Sequence, residues 1–301
     1  MRICAVVVTF NRKQLLVRSL NSIISQRDAD LNKIIIIDNA STDGTENYLH
    51  EKGVFGNNNN IEVEYVRLQS NLGGAGGFNK GLSIAFDQQY DYCWVMDDDG
   101  YPDENCLHQM LKYTNSYDFL SPLVLNELDH SKLSFGIDGN TSRSDIEEKY
   151  KNTQLIEGKA NPFNGVIFSK KMLSKIGFPK SDMFIWGDEN EYQQRALQAG
   201  MKIATVKDAF HFHPENRVKY KIIFGKFKVN LPEGELRQYC YFRNYTYILK
   251  KYGSGISLLK WFIKYFCLFI LTLDIKGLVL YIKAASHALQ NDFSHHREYL
   301  K

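Results

Sequence analysis

The sequence predicts an α/β fold, a mostly parallel sheet flanked by helices, with a helical appendage at its C-terminal end. Three observations predict it. Strand and helix patterns alternate four times within residues 1–100, the signature of a parallel sheet with crossovers on its faces. Tyr92-Cys93-Trp94-Val95-Met96 then runs straight into Asp97-Asp98-Asp99-Gly100. A buried strand therefore ends in carboxylates, at the sheet edge where such folds bind ligands. Past residue 233 the chain becomes basic and aromatic with helical periodicity.

Taken in order, Ile3–Thr9 reads as a β-branched buried strand. Its apolar run is short for a signal peptide, and Asn11-Arg12-Lys13 stands where a small-residue cleavage site would be. Leu15, Leu16, Leu20, Ile23 and Ile24 give Lys13–Gln26 a helical period. Lys33–Ile37 is a second strand, and its loop ends at Asp43, placed to cap the next helix. Ile61–Leu68 is a third. It leads into Asn71-Leu72-Gly73-Gly74-Ala75-Gly76-Gly77-Phe78-Asn79-Lys80-Gly81. This run reads as a glycine loop opening a helix, with backbone N–H groups for phosphate. The alternative is that its glycines only permit close packing. Its spacing is neither that of a Walker loop nor that of the dinucleotide fingerprint.

Residues 126–160 are polar and read as an insertion or lid without core. A strand over Asn161–Phe168 and a helix over Lys170–Ile176 follow. Phe184 to Gly200, with Gly187-Asp188-Glu189-Asn190-Glu191-Tyr192 near its start, continues helically. Met201–Val206 is a last strand before Ala209-Phe210-His211-Phe212-His213. We divide the chain into an α/β domain, 1–232, and a helical region, 233–301. The former has a first half (1–100), the insertion, and a second half (161–232).

At 44% hydrophobic and 24% charged the composition is ordinary for a globular protein. A net charge of +3 argues against a nucleic-acid partner. The basic side chains concentrate late, at Lys219, Lys221, Lys226, Lys228, Arg237, Arg243, Lys250 and Lys251, which points to an anionic surface. Five scattered cysteines argue against disulfides and zinc, and fit a reducing cytosol. Residues 255–285 are rich in Leu, Ile, Phe and Trp but interrupted by Lys260, Lys264, Asp274 and Lys276. No charge-free run reaches the roughly 20 residues of a spanning helix. Two readings stand: an interfacial helix on anionic lipid, or a hairpin packed on the α/β domain or in a homo-oligomer.

Three adjacent carboxylates repel one another unless a cation joins them, and Mg²⁺ or Mn²⁺ prefers such oxygens. The loops carrying Asp38, the glycines and Asp97-Asp98-Asp99 all open on one sheet edge by this reading.

These motifs in series resemble the family-2 glycosyltransferases, inverting enzymes with the Rossmann-like GT-A fold. The resemblance spans roughly residues 1–250. It implies that Thr9, Phe10, Asn11 and Arg12 form the opening loop of a nucleotide-sugar site, with Asp38 on the base. It implies that Asn71, Gly73, Gly74, Gly76, Gly77 and Lys80 line the donor, with Asp97 and Asp98. Asp97 and Asp99 look like the family's metal-binding Asp-x-Asp. By the spacing of galactofuranosyltransferases, His213 completes that site, with His211 as the competing choice. Gly187-Asp188-Glu189-Asn190-Glu191-Tyr192 with Arg195 resembles the family's Gly-Glu-Asp-x-Asp-Leu-x-x-Arg segment. By that register Glu189 is the catalytic base and Asp188 the alternative, since the acid types are exchanged. Trp186, Asn164 and Glu191 fall on the acceptor side, and Arg195 is expected to pair with a carboxylate.

The paired glycines and Asp triplet look most like bacterial galactofuranosyltransferases, which implies a UDP-sugar donor. Tyr239-Cys240-Tyr241-Phe242-Arg243-Asn244 instead resembles a rhamnosyltransferase helix, and with it dTDP-rhamnose. The expected acceptor is a glycan or lipid-linked glycan for surface polysaccharide, met by a cytoplasmic protein peripheral to the inner membrane face. The competing class is a sugar-nucleotide-binding subunit without transfer activity. A nucleotidyltransferase would need a basic glycine loop near the first strand, which Thr9-Phe10-Asn11-Arg12 does not supply.

Overall fold

The structure, a computed structural model, describes residues 1–56, 60–215, 220–223 and 227–300. Lys219 and Lys226 of the basic region lie outside them. The chain divides into two compact units, Met1–Pro179 with Arg195–Asn216, and Lys180–Gln194 with Arg217–Lys301.

The first unit opens with the expected alternation: β1 (Ile3–Thr9), α1 (Lys13–Ile24), β2 (Leu31–Asp38), α2 (Thr45–Glu51), β3 (Glu62–Arg67), α3 (Gly73–Asp87) and β4 (Tyr92–Asp97). Next come β5 (Tyr101–Pro102), α4 (Cys106–Leu111), β6 (Phe119–Asn126), β7 (Lys132–Ile137), β8 (Asn140–Ser142), α5 (Arg143–Lys149), β9 (Leu155–Glu157), β10 (Asn164–Ser169) and α6 (Lys170–Ile176). Helix α7 (Asp188–Gln198) leads into β11 (Ile203–His213).

The main sheet runs β3-β2-β1-β4-β10-β6-β11-β5. β3, β2, β1 and β4 are parallel, while β10 is antiparallel to both β4 and β6. Because β11 is parallel to β6, the C-terminal ends of β1, β2, β4, β6 and β11 all lie on one edge. Ile3, Ala5 and Val7 turn one face of β1 toward Leu16, Leu20 and Ile23 of α1. Val6 and Val8 turn the other toward α3. With both faces covered, the strands are apolar along their length instead of alternating. Trp94, fully buried, satisfies its indole N–H on the Gly165 carbonyl at 2.9 Å.

Three expectations are corrected here. Asp43 does not cap α2: Gly44, at φ 78°, holds that place, and Asp43 accepts from the Lys13 amide and Thr45 hydroxyl. The glycine run is not a loop, since Gly73 through Gly81 all lie within α3. A Cβ at Gly77 would come within 2.5 Å of Val8 Cγ1, and one at Gly81 would overlap Val6. The packing alternative therefore accounts for these two. Third, residues 126–160 are not coreless: β7, β8, α5 and β9 bury Leu133, Ile137, Ile146 and Ile156 against Leu123 and Leu125. Few apolar residues suffice because the sheet already offers one wall.

The second unit holds β12 (Tyr220–Ile223) paired with β13 (Phe227–Asn230), then α8 (Glu235–Tyr252), α9 (Gly255–Leu271), α10 (Ile275–Leu289) and a short turn of helix over Ser294–Tyr299. Tyr239, Phe242, Tyr265, Phe269 and Tyr281 form its aromatic core. Lys180–Gln194 joins this unit, across the boundary expected at 232. The cause is Arg243 and Asn244 on α8. Arg243, fully buried, donates to the carbonyls of Met183 and Phe293 at 2.8 and 3.0 Å. Asn244 donates to those of Met183, Ile185 and Trp186. Among the described residues, no helix is long and apolar enough to cross a membrane.

Candidate active site

At the common edge of the first unit the register aligns Thr9 with Asp38 and Val8 with Asp97. Asp97 closes β4, so the first carboxylate of the triplet is still strand. Its amide donates to the Phe163 carbonyl at 3.1 Å. Thr9, buried, donates its hydroxyl to Asp98 at 2.7 Å. Arg12 bridges Asp98 and Asp99 at 3.1 and 2.8 Å. His213, the last residue of β11, brings Nε2 to 3.2 Å from Asp99.

The charges follow from these contacts. Burial, then repulsion from Asp99 and Asp98, raises the Asp97 pKa well above the carboxylate range. Burial lifts Asp98 to about 6 despite Arg12. Burial also opposes ionisation of Asp99, but the hydrogen bond and charge of His213, with Arg12, outweigh it and pull Asp99 down to about 2. The same bond raises His213 against its own burial. His213 Nδ1 lies 2.7 Å from the Pro214 carbonyl, which only accepts, so Nδ1 carries the hydrogen. Nε2 faces the Asp99 carboxylate, and that hydrogen bond is what raises the His213 pKa.

His211, the alternative, is fully buried against Gly100 and Gly165, and burial holds its pKa at about 3. Among the described residues, no three His, Cys, Asp or Glu side chains are grouped to hold an ion. Asp99 and His213 are nonetheless in contact, and a carboxylate beside an imidazole is ligand chemistry that suits Mn²⁺ or Mg²⁺.

Asp38 is buried, accepting from the Ser41 amide at 2.7 Å and from the Tyr65 hydroxyl. Asn11, at φ 54°, accepts from the Thr42 amide, and Phe10 is exposed. Asn71 accepts from the Gly73 amide at 2.8 Å. Gly74 and Gly76 sit in the first turn of α3, and Lys80 is exposed further along it. Asn164 begins β10 opposite Met96 and donates to the Pro162 carbonyl.

Sequence reasoning missed two residues. Arg18 of α1 donates to the Asp99 carbonyl at 2.9 Å and pairs with Glu127. Tyr65 of β3 holds Asp38. Each is a polar position in an otherwise periodic segment, and only its distant partner gives it meaning.

The acid segment is described within the second unit. Phe184, Trp186 and Gly187 all have positive φ, a strained entry that the Asn244 amide pins by its carbonyls. Asp188, Glu189 and Glu191 then occupy the first turn of α7, where the helix dipole favours negative charge. Glu189 is half-buried, with one oxygen on the Gly187 amide at 2.9 Å and the other on Asn190 at 3.0 Å. Asp188 is buried. Glu191, expected on the acceptor side, is instead 1% exposed and accepts from the Tyr252 hydroxyl at 2.5 Å. Trp186 is half-buried and meets Tyr241 edge-on. Arg195, in the first unit, donates to the carbonyls of Ile176 and Phe178.

Residues 4–177 match the sequence profile of glycosyl transferase family 2. The chain is 31% identical to galactofuranosyltransferase GlfT1 of Mycolicibacterium smegmatis over 83% of its length and 84% of that protein's. The solved structure of S. aureus TarS with UDP-GlcNAc superposes with a TM-score of 0.57 at 16% identity, covering 96% of this chain and 81% of that one. That of GalNAc-T7 with UDP, GalNAc and Mn²⁺ also gives 0.57 at 15% identity, covering 83% and 48%. These structural likenesses are of fold, and the fold is GT-A. The chain belongs to glycosyl transferase family 2 and is a glycosyltransferase.

Proposed function

We propose that this glycosyltransferase moves galactofuranose from UDP-galactofuranose, with inversion, to a glycan or lipid-linked glycan of a bacterial surface polysaccharide. The observation that carries the reading is the Asp99–His213 pair at the sheet edge, in a chain 31% identical to a galactofuranosyltransferase along most of its length. Solved relatives hold UDP-GlcNAc or UDP with Mn²⁺, which supports a UDP-sugar donor and a divalent ion.

Asp97, Asp99 and His213 are the residues assigned to Mn²⁺ or Mg²⁺. Such an ion acts as a Lewis acid toward a diphosphate leaving group. Arg12 balances Asp98 and Asp99 so that three adjacent carboxylates remain together. Asp38 fixes the turn assigned to the nucleotide base through its bond to the Ser41 amide. Glu189 is assigned the acceptor proton, because the residue is half-buried whereas Asp188 is buried. A single base without a carboxylate nucleophile means one displacement and inverted configuration, by analogy with glycoside chemistry. An acceptor carried on lipid places the protein at the cytoplasmic face of the membrane, as a peripheral protein.

The test is transfer from UDP-galactofuranose to a galactoside with Mn²⁺, followed by product stereochemistry. Glu189→Gln is expected to lower kcat by on the order of 10²–10⁴ while UDP binding persists. Transfer from dTDP-rhamnose alone would reassign the donor. Tight UDP binding without turnover of any donor would make the protein a binding subunit.

A further inference from the structure

In α9, Ile256, Leu259, Ile263, Phe266 and Ile270 are all exposed. Their spacing of three and four puts them on one stripe of the helix. In α10, Ile275, Val279, Ile282 and Leu289 form a second exposed stripe. The two meet at the turn, where Leu273 and Ile275 are 86% and 75% exposed. Tyr265, Leu268 and Phe269 already fill the inner face of α9, so these outer residues contribute nothing to the core. A soluble surface rarely leaves a continuous apolar area of this extent without a partner.

The charges bordering the stripes say which partner. At 100° per residue, Lys260 and Lys264 lie along one side of the α9 stripe, and Lys276 and Lys283 along the corresponding side of the α10 stripe; all four are exposed. The one acid between residues 253 and 291 is Asp274. It is spent inside the turn, accepting from the Gly277 amide at 2.9 Å. A second copy of this face would set four lysines against four, and Glu298, which acts on Lys283, is too little acid to answer them. An anionic lipid surface supplies both the apolar interior and the negative headgroups.

We propose that the outer faces of α9 and α10 form a lipid-docking surface, with Leu273 and Ile275 at its inserting tip and the four lysines on anionic headgroups. This deepens the lipid-linked acceptor reading by naming the surface that meets the bilayer, and it rests on that reading only for its biological purpose. Its test needs no transfer reaction, so the two can fail separately.

Cys267 lies beside the α9 stripe and is the one exposed cysteine of five. A polarity-sensitive fluorophore on Cys267 of the full chain is expected to shift to the blue with phosphatidylglycerol vesicles and much less with phosphatidylcholine alone. Co-sedimentation with the anionic vesicles is expected to weaken roughly fivefold for each lysine removed in the series K260Q, K264Q, K276Q and K283Q. These substitutions are on the surface and should leave the fold, checked by circular dichroism, and transfer to a soluble galactoside unchanged. Leu273→Ser should weaken binding to the same vesicles without altering the salt dependence. Equal binding by wild type and the lysine series would overturn the proposal. So would a lipid-free dimer by light scattering in which the Cys267 probe is already shielded.

Discussion

Asp98 and Asp99 are neighbours in sequence with opposite protonation behaviour. Asp98 is sealed behind Thr9, and burial lifts it to about 6; Asp99 faces His213 and falls to about 2. Their identity as adjacent acids was legible in the sequence, but which of them meets an imidazole was not. That depends on where β11 ends, 114 positions further along (213 − 99). Glycines divide in the same way. Gly77 has Val8 Cγ1 and Asn39 Nδ2 within 2.5 and 3.0 Å of where a Cβ would stand. Gly77→Ala is therefore expected to destabilise the first unit by roughly 1–3 kcal/mol through overpacking, read as a lower Tm. Sequence alone leaves both phosphate binding and close packing open for a run of glycines, because both need the missing side chain.

At the scale of elements, the entry to α7 depends on one amide group. Asn244 Nδ2 lies 3.0, 2.9 and 2.7 Å from the carbonyls of Met183, Ile185 and Trp186. Asn244→Ala removes the amide from the Ile185 and Trp186 carbonyls, while Met183 keeps Arg243 as a donor, at about 1 kcal/mol per lost bond. Asn244→Asp should cost more, because a carboxylate facing three carbonyl oxygens repels them; urea unfolding of both variants checks the order. The edge pair of β2 and β3 carries a pH dependence. Lys33, buried, bonds Glu62 and Glu64 at 2.8 and 2.6 Å. Burial opposes ionisation of Glu64, but Lys33 and Gln88 outweigh it, so its pKa lies below the usual 4.5. Its contribution is full above pH 4.5 and is lost as pH falls toward the folded value. Lys33 is likewise raised above 10.5 by its two acids against burial, so its contribution is full below 10.5 and is lost as pH rises through the folded value. Glu64→Gln should flatten the acid side of the stability profile by less than about 1 kcal/mol, given the partial exposure of the pair. Denaturation between pH 3 and 7 measures it.

At the scale of the whole molecule, all five cysteines are free, and four are buried. Burial pushes Cys93 up to about 12 and Cys240 to about 11, and Cys4 and Cys106 well above the usual thiol range. A thiol reagent should therefore titrate one group rapidly in the native protein, at Cys267, and five after denaturation. The absence of pairing was readable from cysteine number and spacing, since a disulfide framework leaves a pattern that this chain lacks. The division into units was not: it assigns Lys180–Gln194 to the C-terminal helices, through hydrogen bonds that span about sixty positions of chain.

By itself the sequence determined the order of strands and helices over the first hundred residues, the β4 strand running into its acids, and the membership of a family whose motifs appear in series. Periodicity and turn chemistry act over a few residues, so a linear reading reaches them. Only the tertiary structure decided that the glycine run is helix, that Glu191 is buried under Tyr252, that His213 and not His211 meets Asp99, and that the apolar stripes of α9 and α10 are exposed. Each of these depends on which distant segment packs against the residue, because hydrogen bonding and burial are settled by neighbours in space.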